Sequence, residues 1–104
     1  MPEVVSEVEQ ALHDDWGSLW VTGVVCDVTA RDQVNRGVRR AIEKFGGVDI
    51  AVNNGASSQS GTILTLSEEQ WFEGFSVKVL SLTRLAQALV PGMKQRRGGS
   101  ILLD

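Results

Sequence analysis

Val48-Asp49-Ile50-Ala51-Val52-Asn53-Asn54-Gly55-Ala56 is the stretch on which the reading of this chain turns. Four apolar residues and one Asp run straight into a polar turn that contains glycine. A strand buried on both faces ends this way when the carboxyl edge of a parallel sheet faces a ligand. Asn and Gly also favour ordinary turns, so the stretch by itself admits a purely structural reading. What lies on either side decides between the two.

Upstream, Pro2 suits a first helical turn, and Val5, Val8, Leu12 and Trp16 recur at helical spacing before Gly17 stops the run. The valine-rich segment Leu19–Cys26 is predicted to be a strand. Thr29 with Asp32 reads as a capping box. The helix it would open carries Val34, Val38, Ala41, Ile42 and Phe45 on one stripe and ends at Gly46-Gly47. Val48–Val52 is the next predicted strand. A loop from Asn53 to about Leu66 follows, with Ser57, Ser58, Ser60 and Gly61 in it.

Ser67 with Gln70 predicts a second capping box, opening a long helix along which Trp71, Phe75, Val79, Leu82, Ala86, Leu89 and Met93 step by threes and fours. Pro91 is expected to kink or break its last turns, and Gly98-Gly99 to end it. Ser100–Leu103 begins a third strand. Helix and strand alternate three times, the pattern of right-handed crossovers. The fold class is therefore α/β, a doubly wound parallel sheet, with residues 1–104 as one domain.

Composition fits that picture. Hydrophobic residues make up 42% and charged residues 22% of 104 residues, as in globular proteins rather than disordered ones. A net charge of −3 gives no electrostatic reason to expect nucleic acid or a membrane surface as partner. Lys94, Arg96 and Arg97 cluster where a helix closes, and cations there suit the macrodipole before they suit an anion. Cys26 is single, so no intramolecular disulfide can form, and its apolar setting reads as a small buried hydrophobe. With no secretory leader at Met1–Val4, a cytoplasmic protein is the expectation. His13 falls between Leu12 and two aspartates on the expected solvent side of the first helix, without partners at metal-ligand spacing, so no metal site is expected.

Two positions could carry binding chemistry. Asp27 stands at the carboxyl end of the first predicted strand, where its carboxylate could accept from an adenine amino group while Val28 packs on the ring. It could equally cap the helix near Thr29, and both roles can hold together. Asn53 offers donors and acceptors to a ribose or to neighbouring backbone, and Gly55 lets backbone approach a nucleotide.

Taken in order, Cys26-Asp27-Val28, Phe45-Gly46-Gly47-Val48-Asp49, Asn53-Asn54-Gly55-Ala56, Glu69-Gln70-Trp71 and Pro91-Gly92-Met93 resemble the middle of a short-chain dehydrogenase/reductase, from about Leu19 to Leu103. The resemblance implies a partial Rossmann-like domain that binds NAD or NADP, with Asp27 and Val28 at the adenine and Asn53 and Gly55 at the adenosine ribose. It implies hydride transfer between a nicotinamide and an alcohol or carbonyl substrate. Lys78 stands where the family usually carries an asparagine that holds a proton-relay water. Some relatives place a lysine there, which makes Lys78 the candidate for the catalytic neighbourhood. The family's usual Asn-Asn-Ala-Gly is here Asn-Asn-Gly-Ala.

The family's glycine-rich pyrophosphate turn and its Ser and Tyr-x-x-x-Lys set have no counterpart, and the chain contains no tyrosine. Gly46-Gly47 cannot replace that turn, because it ends a helix instead of opening one. The chain alone is expected to be inactive. In the order 3-2-1-4-5-6 it would supply strands three, four and five, with two strands wanting between the first two. The alternative expectation is a non-catalytic interaction module. It would pair through the Trp71–Met93 helix, either with itself as a homo-oligomer or with a full-length relative.

Overall fold

The computed structural model describes residues 2–17, 19–54 and 61–103. Its elements run in the order helix α1 (Pro2–Trp16), helix α2 (Arg31–Phe45), strand β1 (Ile50–Asn53), helix α3 (Glu68–Phe75), a π-helical turn (Ser76–Leu80), helix α4 (Ser81–Gln95) and strand β2 (Ser100–Leu103). β1 and β2 pair in parallel, Ile50 opposite Ser100 through Asn53 opposite Leu103. α3, the π turn and α4 follow one another without a gap and carry the chain from the end of β1 back to the start of β2. The chain is thus α/β with a parallel sheet, as the alternating pattern predicts, but among the described residues the sheet has two strands rather than three.

The missing strand is Leu19–Cys26. Residues 21–27 adopt no regular structure, because a strand exists only through its ladder and no neighbour stands beside this segment among the described residues. Side chains hold it instead. The Glu9 carboxylate accepts from Gly23 N–H, and His13 Nε2 lies 2.7 Å from the Val21 carbonyl oxygen. His13 is accordingly half-buried rather than on the solvent side. α1 approaches so closely that a Cβ on Gly23 would stand 2.9 Å from Val5 Cγ1.

Alternation sorts the sheet into two faces. Ala51 and Ile101 turn toward α2 and α4, where Ala51, Leu89 and Met93 form the buried cluster with Val38, Val48 and Leu85 against it. Ile50, Val52 and Leu102 point the other way and are exposed. A parallel sheet is ordinarily covered on both faces, so this one is half clothed. The apolar stripe of α1 is bare as well: Val4, Val8 and Leu12 are exposed and Trp16 is 67% accessible. The accessible surface is 7680 Å², against about 5,700 Å² for a folded monomer of this mass. The radius of gyration is 15.7 Å, where about 13 Å is usual for this length. No helix among the described residues is long and apolar enough to cross a membrane.

Helix boundaries follow local chemistry. The Ser67–Gln70 box forms in both directions: Gln70 N–H donates to Ser67 Oγ at 3.2 Å, and Ser67 N–H donates to Gln70 Oε1 at 2.8 Å. The Thr29–Asp32 box does not form. Ala30 is the cap of α2 and contributes no side-chain bond, because Thr29 N–H and Oγ1 both donate to Asp27 instead. Pro91 leaves α4 unbroken to Gln95.

Gly46 closes α2 in the left-handed region at φ 86°, its N–H on the Ile42 carbonyl at 2.8 Å. α4 ends one residue earlier than the Gly98-Gly99 pair suggests. Arg97 takes φ 65°, Gly98 N–H reaches back to Met93 O at 2.9 Å, and Arg97 N–H to Lys94 O at 3.1 Å. That is a Schellman ending with an arginine where glycine is the rule. Arg96 then bridges the two helix ends, donating to Gly46 O at 3.1 Å and to Asp49 Oδ1 at 3.0 Å. Its guanidinium passes so near Gly47 that a Cβ there would collide with it.

The two left-handed positions should answer oppositely to substitution. Arg97→Gly relieves a side chain from the αL region and should stabilise the chain by about 1 kcal/mol. Gly46→Ala places one there and should cost about 1 kcal/mol. Urea midpoints followed by circular dichroism test this, and shifts of the same sign would refute it.

Candidate nucleotide cleft

Between the 26–28 segment, α2, β1 and α4 lies a cleft of about 370 Å³. Cys26, Val28, Val34, Val38, Ala41, Val48, Val52 and Leu85 make its walls largely apolar, and Asn53, Asn54 and Ser81 supply polar groups at one end. The elements explain the placement. β1 ends at Asn53, so Asn53 and Asn54 fall at the carboxyl edge of the sheet. The 26–28 segment reaches the same place from the other side through the turn that precedes α2.

That turn is built by Asp27. Its Oδ1 accepts from Thr29 N–H at 2.9 Å and Thr29 Oγ1 at 2.7 Å, while its own N–H donates to Gln33 Oε1 at 2.8 Å. The Thr29 hydroxyl and amide hold the Asp27 carboxyl below its usual range, with a smaller contribution from the positive charge of Arg84. Oδ2 takes part in neither Thr29 bond and sits on an exposed side chain. Asp27 thus shapes the turn that precedes α2 but does not cap the helix, whose cap is Ala30 without a side-chain bond.

Cys26, expected to be buried, is exposed where it lines the cleft. Partial desolvation, together with the neighbouring Asp27 carboxylate, pushes its thiol up, which favours the protonated form.

At the other wall Asn53 Nδ2 donates to Ser81 Oγ at 3.4 Å, and the Ser81 hydroxyl donates to the Val77 carbonyl. Ser81 is 3% exposed, the one buried polar side chain among the described residues. Lys78 lies in the π turn just before it and is exposed. Val28 and Asn53 therefore share the cleft, Asp27 flanks it, and Lys78 sits one turn from its Asn53 end. Gly55, assigned to the ribose side, lies outside the described residues.

Sequence reasoning missed Ser81, Gln33 and Arg84. The one signal for Arg84 is a cation between Leu82 and Leu85, and it is half-buried because acceptors meet it. Those acceptors are the Val28 and Ser76 carbonyl oxygens, each 3.0 Å from Nη1.

Comparison with known proteins identifies the family along nearly the whole chain. The family described as enoyl-(acyl carrier protein) reductase matches residues 3–103. Dehydrogenase/reductase SDR family member 4 of Homo sapiens is 36% identical over 92% of this chain and 35% of its own length. The 3-oxoacyl-(acyl-carrier-protein) reductase of Thermotoga maritima is 32% identical over 75% of this chain and 32% of its own. Among solved structures, L-sorbose reductase from Gluconobacter frateurii, complexed with NADPH and L-sorbose, superposes with a TM-score of 0.88. It is 33% identical and shares 99% of this chain and 39% of its own. The chain belongs to the short-chain dehydrogenase/reductase family. It spans about a third of the length of the curated relatives it matches.

Because the Asp27 carboxyl is held below its unfolded value, the bonds to Thr29 persist above the unfolded pKa and are lost as pH falls through the lowered folded value. Acidification from neutrality to below about pH 4 should therefore release the turn. Thr29 amide exchange reads this directly, and Asp27→Asn should abolish the acid transition. An unchanged transition in that variant would assign it to another carboxylate.

Proposed function

We propose that this chain forms the adenosine-binding side of an NAD- or NADP-dependent oxidoreductase. The reaction of the whole protein would transfer hydride between the nicotinamide and an alcohol or carbonyl substrate. The observation that carries the reading is the convergence of the Asp27–Val28 turn and the Asn53 strand end on one apolar cleft. The donor set suits an adenosine. An ionised carboxylate accepts from the exocyclic amine, Val28 and Val34 pack on the ring faces, and Asn53 meets a ribose hydroxyl. L-sorbose reductase, solved with NADPH, shares this chain's fold along almost all of its length.

Within such an enzyme the residues here bind and orient. Asp27 and Val28 fix the adenine end, Asn53 and Gly55 the ribose, and the nicotinamide end supplies or accepts the hydride when the cofactor is bound. Lys78 belongs to the neighbourhood of the proton path, at the end of the cleft nearest the sheet edge.

A second reading has its own observation. Phe72 is 70% and Phe75 55% exposed, with Trp71, Val79 and Leu80 also open to solvent along the same helix. A face of that kind suits packing against a second copy or a full-length relative. Phe72→Glu with Phe75→Glu should abolish any self-association seen by light scattering while leaving nucleotide binding intact.

The primary reading is tested by titrating the chain with adenosine monophosphate and, separately, with nicotinamide mononucleotide. Adenosine monophosphate should shift the amide signals of Val28 and Asn53, and nicotinamide mononucleotide should not. Asp27→Ala and Asn53→Ala should each weaken the adenosine ligand by about three- to tenfold. Equal binding by both variants and the parent would overturn the assignment.

A further inference from the structure

Arg84 joins the turn at Val28, 56 residues before it in sequence, to Ser76, eight residues before it. Nη1 donates to the Val28 carbonyl and to the Ser76 carbonyl, both at 3.0 Å, and Nη2 donates to Ser76 Oγ at 3.3 Å. The first end is the turn at the adenosine cleft. The second is the residue that opens the π turn.

The Ser76 carbonyl is a decisive atom. It also accepts from Ser81 N–H, five residues on, which is the bond that makes the turn π rather than α. In an α register it would accept from Leu80 N–H instead. Arg84 occupies the remaining acceptor capacity of that carbonyl and bonds the side chain of the same residue. The far side of the turn is fixed too, since Ser81 donates to Val77 O and accepts from Asn53. The turn bearing Lys78 is therefore pinned at both ends to the two segments that form the cleft.

We propose that Arg84 is a positioning residue that couples occupancy of the cleft to the register of the turn bearing Lys78. The inference rests on the adenosine reading above. A ligand seated against Val28 fixes the backbone whose carbonyl Arg84 holds, and the planar fork passes that constraint to Ser76. Reversion to the α register would swing Lys78 roughly 100° about the helix axis. Lysine cannot replace this fork, because a single ammonium on a flexible stem does not hold three separated acceptors in one plane.

The test uses the chain labelled for amide spectroscopy, with adenosine monophosphate as probe. In the parent, binding should perturb Val28 and Asn53 and also Ser76, Lys78 and Ser81. In Arg84→Lys and Arg84→Ala the response at Val28 should remain, about five- to tenfold weaker in affinity, while residues 76–81 fall silent. Ser81 amide exchange should accelerate about tenfold or more in both.

A merely structural role would lower the melting temperature yet leave the response at 76–81 in place, and that result overturns the proposal. The lysine variant decides the matter should the alanine variant fail to fold. If the parent binds no adenosine monophosphate, the adenosine reading fails and the coupling with it. Ser81 exchange then still shows whether Arg84 holds the π turn.

Discussion

The parallel pairing of Ile50–Asn53 with Ser100–Leu103 sets the terms for everything else in this chain. Parallel neighbours cannot be joined by a tight turn, so the connection must climb away and return, and a helix is the economical way to do so. The climb is the run from Glu68 to Gln95, which lays Leu89 and Met93 on Ala51. Once that helix is seated, its neighbour α2 has a surface to pack against, and the cleft appears where the helices meet the sheet end. Arg96 then closes the far end by tying the exit of α4 to the exit of α2. An exposed ion pair of this kind adds little energy, yet it fixes which loop lies beside which.

Much of this was legible in the residues. Glycine at the exit of α2 and a Ser-x-x-Gln box both act through local backbone chemistry, and each does in the folded chain what its chemistry dictates. The strand after Leu19 failed for a different reason: its pairing depends on neighbours, not on its own composition. The Thr29 box failed through competition. Asp27, two residues earlier, takes the Thr29 N–H that the Asp32 side chain would have accepted and turns the Thr29 hydroxyl toward itself.

The long helix shows a third kind of limit. Counting by threes and fours places Phe75 and Val79 inward, whereas Val77 and Ser81 are the buried pair. The π turn, in which Ser81 N–H reaches the Ser76 carbonyl five residues back, breaks the helical count there and shifts the inward face from Phe75 and Val79 to Val77 and Ser81. Nothing in hydropathy announces such an insertion. Of the residues lining the cleft, Val28 and Asn53 stand out by motif order, whereas what Arg84 and Ser81 bond to becomes visible only with the tertiary arrangement. Their roles are defined by carbonyls and amides of distant segments, and backbone atoms leave no trace in a list of side chains.

The register of the ladder also dictates an order of events during synthesis. Ile50 waits for Ser100, and the intervening chain must emerge before this ladder can form. Loop closure over such a span is slow compared with helix formation. The ladder between β1 and β2 is therefore the last of these contacts to become possible as the chain is made, and the helices of the connection can form before it.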